Sequence, residues 1–306
     1  LLRINNTFKK SQYLQLMKHL LLFISFILMG CQTQEKKEDS TSLPLSKAFK
    51  SYWFDGTAEL SSYQLMQSRY GTPREGHAVL IYVTEDFLVK EQVKANKKSE
   101  ASQMVLKLNR TKKFNTGIYP YSIMSSVFSK LRQKKPLAKI TTSVQEWCGQ
   151  AYTQLNRKER LEISSHSYFE GEADQDLSLE DTLTEDELWN WIRTQSNRLP
   201  VGTLEIIPSL EYIRLKHKPI KAYNAVGSLE TSPDFITYQL TYAELNRQLS
   251  ISFSKEFPHQ ILGWEEKDLK NPEQITTAKR IKSLKLPYWT LNRLGDERFR
   301  DSLGLK

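Results

Sequence analysis

The side chains able to do chemistry in this 306-residue chain are few and widely spaced. The histidines of its main body, His77, His166, His217 and His259, never stand four residues from one another or beside a cysteine. A zinc ligand set therefore has no support. There is no Gly-x-Ser-x-Gly elbow, no phosphate-binding glycine loop and no Cys-x-x-Cys pair. Asp174-Gln175-Asp176 offers the first carboxylates of a calcium loop, but the glycine and terminal glutamate at EF-hand spacing are missing. Among 35 acidic residues nothing singles out a pair for glycoside hydrolysis. The expectation is of no catalytic residue, no metal and no cofactor, with non-catalytic binding favoured over catalysis and the question left open.

The remaining reactive group is the Cys31 thiol, and the residues before it give it a role. Lys18 and His19 form a short basic region, and Leu20 to Met29 is a ten-residue apolar run interrupted by Ser25. Such a run is too short to span a bilayer, which takes about 20 residues, but it suits a secretory signal. It ends in Leu28-Met29-Gly30-Cys31, which resembles the lipobox of bacterial lipoproteins. That resemblance implies cleavage between Gly30 and Cys31, a diacylglyceryl group on the Cys31 sulfur, and acylation (palmitate-type) of the new amine. Each buried CH₂ contributes about 0.8 kcal/mol, so two or three chains anchor the protein firmly. Residues 17–30 are the expected signal peptide. Residues 1–16, with three positive charges and no negative one, read as an extension upstream of the native start or as a long n-region.

Removing residues 1–30 leaves 276 residues and lowers the formal charge from +9 to +5. A balance of that size is not a nucleic-acid signature, and an exported chain would rarely meet nucleic acid, so no nucleic-acid partner is expected. Cys148 would be the one thiol left, so no intrachain disulfide forms, and a lone thiol in an oxidising compartment is expected to be buried and inert. Residues 31–48 are polar, charged and aperiodic, and read as a flexible tether. Residues 49–306 form a β-rich domain, either single or in two halves, 49–183 and 184–306.

Aromatic and β-branched residues alternate through that domain with the period of strands that bury one face. Strands are expected over 57–65, 76–83, 103–109, 119–128, 138–147 and 160–169, then over 202–207, 212–217, 220–226, 235–242, 248–253 and 260–265. In the clearest unit Ile236, Tyr238, Leu240 and Tyr242 share one face, Leu249, Ile251 and Phe253 another, with the turn at 243–246. Thr184 with Glu187 three residues on predicts a capped helix over 185–196. Asn271-Pro272 predicts a helix over 272–284, and residues 288–304 a short third one. The fold class is mainly β, an antiparallel, strongly curved sheet or pair of sheets, half-barrel-like, with one to three helices.

Charge is segregated. Residues 90–139 hold thirteen lysines and arginines against two glutamates, whereas residues 159–187 hold eleven acids against one arginine. They read as two solvated loop regions that meet across the fold, or as a basic surface for anionic headgroups or polysaccharide. The aromatic residues Trp53, Tyr119, Tyr121 and Trp264 stand beside turn residues and are the candidate lining of a ligand groove, against the alternative of core packing.

Four strings, Tyr52 to Glu59, Ala78 to Asp86, Thr111 to Tyr121 and Phe257 to Glu265, together with the lipobox, resemble a group of Bacteroidota lipoproteins that carry the label septum formation inhibitor Maf. The likeness covers nearly the whole mature chain. Maf proteins proper are cytoplasmic nucleotide pyrophosphatases with a Ser-x-Ser-Pro-Arg-Arg type motif. Ser68-Arg69-Tyr70-Gly71-Thr72-Pro73-Arg74 does not match it, so no Maf active-site residue carries over. The expected protein is a non-catalytic cell-envelope lipoprotein, periplasmic or surface-exposed and anchored in the outer membrane through Cys31, that binds a lipid-like ligand or an envelope protein. The alternatives are a structural or assembly role in the envelope and a hydrolase acting on lipid or glycan.

Overall fold

The computed structural model describes residues 43–305, so Gly30 and Cys31 lie outside the described residues. The described residues are mainly β: they form sixteen strands in one sheet and four helices, of which only α2 exceeds two turns. Helix α1 (Lys47–Trp53) starts inside the segment expected as tether, its first turn capped by Ser46, whose hydroxyl accepts from the Phe49 amide at 3.0 Å.

The strands are β1 (Ala58–Arg69), β2 (Thr72–Leu88), β3 (Val93–Lys94), β4 (Ser102–Thr116), β5 (Tyr119–Lys130), β6 (Leu137–Glu146), β7 (Gly149–Arg157), β8 (Leu161–Ser167) and β9 (Gln175–Leu179), then β10 (Leu183–Thr184), β11 (Gly202–Ile207), β12 (Tyr223–Thr231), β13 (Phe235–Tyr242), β14 (Arg247–Ser254), β15 (Ile261–Asp268) and β16 (Ile275–Leu286). Their spatial order is 10-11-12-13-14-15-16-1-2-4-5-6-7-8-9, with β3 hung on β2. Neighbouring pairs are antiparallel except β10 with β11, which corrects the expectation of antiparallel pairing throughout.

The two edge strands are β9 and β10, and residues 180–182 alone join them. Three residues reach about 10 Å, so the sheet curls until its edges come back together, yet β9 and β10 do not pair and the sheet stays open.

Helix α2 (Glu185–Thr194) continues directly from β10 into the concave side. Thr184 and Glu187 cap each other reciprocally. Leu188, Trp189 and Ile192 join the main core with inward residues of nearly every strand. Helix α3 (Leu210–Leu215), capped by Ser209, occupies the place where a strand was expected over 212–217. The Tyr-Ile-Arg-Leu run carries no periodicity that separates the two states, and the Ser209 cap decides it.

The helix expected over 272–284 is strand β16. Asn271 and Pro272 lie in a turn, and the following residues fill the slot between β15 and β1, where backbone pairing on both sides outweighs a local cap signal. Past β16 the chain makes a 3₁₀ turn at Tyr288–Thr290 and α4 (Arg298–Ser302). It then lays Leu303 and Leu305 over Ala58, Leu60, Val79 and Val83 on the convex face.

Strand direction sorts the connections into two ends. The turns after β1, β4, β6, β8, β13 and β15 lie at one end, called here the turn end. The connections after β2, β5, β7, β12 and β14 lie at the other. The chain enters at the latter, where the Leu43 amide donates to the Arg132 carbonyl at 2.7 Å.

Candidate functional site

The alternation along β4 leads into the interior. Leu106, Leu108, Arg110, Lys112 and Phe114 are buried at every second position, so two cations sit on an otherwise apolar inward face. On β14 Arg247 precedes Leu249, Ile251 and Phe253 on the same face. The first turn of α2 places Glu185, Asp186 and Glu187 among these cations, all three nearly inaccessible to solvent.

Each buried charge has a partner. Arg247 donates Nη2–H to Glu185 Oε1 at 2.8 Å and also binds Glu266, while the Tyr242 hydroxyl donates to Glu185 Oε2 at 2.7 Å. Arg110 donates Nη2–H to Asp186 Oδ1 at 3.0 Å. Lys112 donates to Glu211 Oε1 at 2.6 Å, and Arg157 donates from both terminal nitrogens to Glu187 at 3.1 Å. At the far end of α2 Arg193 grips Glu59. Guanidinium groups also lie over rings, Arg110 at 4.7 Å from Trp189 and Arg247 at 4.1 Å from Tyr212.

Burial tends to raise the carboxyls of Glu185, Asp186 and Glu211. For Glu185 the Arg247 charge and its hydrogen bonds overcome burial and hold the group below the ordinary carboxylate range. Lys112 and Arg110 do the same for Glu211. For Asp186 burial wins, because Arg110 is shared and Glu185 and Glu211 repel a second negative charge, so its carboxyl is pushed up.

The two charge runs of the sequence therefore do meet, through Arg110 with Asp186 and Lys135 with Asp181, but they are not two solvated loops. Many of the bases stand on β4 to β6, and the acids at 185–187 are buried.

Between this network and the turn end lies a cavity of about 70 Å³. Its wall includes Arg110, Lys112, Trp189 and Trp264, and Arg69 and Tyr70 are nearer the β1–β2 turn. A space of this size holds a few water molecules or a small polar group.

No family model matches the chain. A comparison with curated proteins likewise finds no relative. Among solved structures, the crystal structure of a beta-barrel-like protein of domain of unknown function DUF1849 from Brucella abortus is similar over 75% of this chain and 98% of that one, at 7% identity and a TM-score of 0.46.

The four aromatic candidates do not form one lining. Trp53 is buried in α1, T-shaped to Tyr52 at 5.0 Å and 5.0 Å from the Arg193 guanidinium. Tyr121 is buried and stacked on Phe114 at 4.9 Å. Half-buried Tyr119 lies 6.0 Å from Tyr121 and 6.5 Å from Trp147. Trp264 alone of the four reaches the cavity, packed against Tyr63 and Trp189.

Cys148 was expected to be buried; instead it is exposed in the β6–β7 turn, and a hydrogen bond with the Glu146 carboxylate, together with its charge, raises its thiol. The histidines are dispersed, with His217 Nδ1 at 2.6 Å from Glu172 and His166 beside Asp174. Among the described residues no group of three His, Cys, Asp or Glu side chains is arranged to hold a metal, and no helix is long and apolar enough to cross a membrane.

The sequence reading missed the buried network because a charged residue in a strand normally points to solvent. The signal was present in β4, where Arg110 and Lys112 fall in phase with Leu106, Leu108 and Phe114. A second feature went unread at the turn end, where adjacent hairpin tips expose Tyr70, Ile118, Trp147 and Tyr168.

Proposed function

We propose that this protein is a non-catalytic component of the bacterial envelope, held by a lipid on Cys31, that binds another envelope protein through the turn end of its sheet. The observation that carries this reading is the run of four neighbouring hairpin tips with large apolar side chains in water: Tyr70 at 59% exposure, Ile118 at 84%, Trp147 at 68% and Tyr168 at 74%. Single exposed apolar residues are ordinary, but a row of them on adjacent tips is what a binding surface requires. Aromatic anchors dominate protein interfaces.

The tips lie at the end of the sheet opposite Leu43, the first described residue. The interior speaks against a bound lipid. It is filled by side chains and ion pairs, and its cavity is small and polar. Hydrolysis has no support either, since among the described residues the buried carboxylates are engaged with arginine or lysine, and none of them stands free as an acid or base.

The test is native electrophoresis of gently solubilised membranes from cells making the wild type or a variant with Tyr70, Ile118, Trp147 and Tyr168 all changed to serine. The wild type is expected to run well above its monomer mass, and the variant at monomer mass with an unchanged melting temperature. A wild type at monomer mass, or a variant that keeps the larger complex, overturns the surface. Independently, Cys31→Ser is expected to release the protein from the membrane fraction, and full retention of that variant overturns the anchor.

A further inference from the structure

We infer that the cavity beneath the turn end is a binding site for a small oxyanion, the carboxylate or phosphate group of a small molecule. Three N–H groups of side chains that line the cavity have no acceptor among the described residues: Arg69 Nε, Arg110 Nε and Trp189 Nε1. Two of their side chains are more than nine-tenths buried, Trp189 at 2% exposure and Arg110 at 5%. A buried donor without an acceptor costs about 1–3 kcal/mol, so native proteins rarely leave one unanswered. The unanswered atoms of this wall are all donors, so the missing guest is an acceptor.

Charge points the same way. The wall carries six cationic side chains and four carboxylates. Of these carboxylates Glu185 and Glu266 are bound by Arg247, Glu211 is bound by Lys112, and Asp268 accepts from the amides of Lys270 and Asn271.

Arg69 and Lys216 are the cations left over, and of the two Arg69 is held in a fixed place. It makes no ion pair with a carboxylate among the described residues. Its terminal nitrogens donate to the Leu215 carbonyl at 2.6 Å and the Tyr121 hydroxyl at 3.2 Å. Its guanidinium lies 4.5 Å from the Tyr70 ring centre and 5.4 Å from that of Tyr121. These contacts hold the group in one orientation and leave Nε–H over. A fixed guanidinium without a carboxylate is suited to a carboxylate or phosphate guest. A space of about 70 Å³ admits one such group and little more. The remainder of the ligand would extend past Lys216 and Lys267 toward solvent.

The tip surface and this site share Tyr70, but their tests do not share a readout. The full chain, labelled with ¹⁵N and assigned at Trp189 with the aid of Trp189→Phe, is titrated with inorganic phosphate and, separately, with acetate at constant ionic strength kept by chloride. A saturable shift of the Trp189 indole N–H signal is expected with at least one anion, and which anion binds more tightly tells phosphate-bearing from carboxylate-bearing ligands. Arg69→Gln is expected to weaken that binding at least tenfold while leaving the signals of the other tryptophans in place. A Trp189 signal that neither anion moves beyond the chloride control overturns the site, and would leave internal water as the acceptor. An equal response in Arg69→Gln overturns the role of Arg69. The wild-type titration alone decides the first point even if a variant fails to fold.

Discussion

Arg193, in the last turn of α2, lies flat against Glu59 at the start of β1, with Nη1 donating to Oε1 and Nη2 to Oε2, each at 2.7 Å. Both side chains are 1% exposed. The pair joins the central helix to the sheet that surrounds it, and the Arg193 Nε–H also reaches the Pro258 carbonyl at 2.9 Å. A buried pair of this kind adds little over a well-packed apolar replacement, but breaking it strands a charge.

Arg193→Met is accordingly expected to destabilise the protein by roughly 3–5 kcal/mol, because Glu59 stays buried without its cation. The double variant Glu59→Met with Arg193→Met should recover much of that loss. Urea denaturation of both variants and the wild type checks the ordering. A double variant less stable than the single one would show that the pair contributes more than its own compensation.

Acid should unfold the protein through the same groups. Burial tends to raise Glu59, Glu185 and Glu211, but their cations prevail and each folded-state value lies below the ordinary 4.5. A depressed carboxylate contributes stability that is fully present above its unfolded value and is lost as pH falls through its folded value. The melting temperature is therefore expected to hold above pH 4.5 as far as these groups are concerned, and to fall below it. Asp186, raised by burial, acts in the opposite sense, so Asp186→Asn should remove a contribution that weakens the fold as pH rises above the ordinary 3.8. Differential scanning calorimetry from pH 3 to pH 7 reads both slopes.

Gly76 on β2 is a point of close approach between strands. A Cβ built there would stand 2.2 Å from the Lys113 carbonyl oxygen and 2.7 Å from Phe114 Cβ. Since β2 pairs with β4 on one side and β1 on the other, the backbone cannot yield without disturbing both ladders. Gly76→Ala is expected to cost roughly 1–3 kcal/mol. Gly171→Ala, where the added carbon meets open space, serves as the control in the same denaturation experiment.

Cys148 provides a count as well as a probe. Its exposed thiol should react with a disulfide reagent in the native protein, more slowly than a free cysteine because Glu146 raises it. Under denaturing conditions, membrane-extracted protein is expected to show one reactive thiol if Cys31 carries its lipid and two if it does not.

Local chemistry made several elements legible. Thr184 and Glu187 announce the start of α2 because a capping box satisfies its backbone donors within one turn. The hairpin of β13 and β14 is readable because alternation over eight residues leaves one choice of buried face. The mainly β class and the strong curvature follow from the same alternation and the short connections.

Where two local readings compete, the partner element decides. Residues 275–284 carry an N-terminal helix signal, yet β15 and β1 offer two open ladders. Residues 212–217 look like a strand, yet Ser209 caps them into α3. Local signals also failed to reveal that Glu185, Asp186 and Glu187 are interior. An acidic first turn is normally a solvated one. Here it is buried because Arg110, Arg157 and Arg247 arrive from strands far apart in the chain. The energy of a buried charge is set by what lies a few ångströms away, and residues 76, 30 and 62 positions distant become that surrounding only when the sheet curls around the helix.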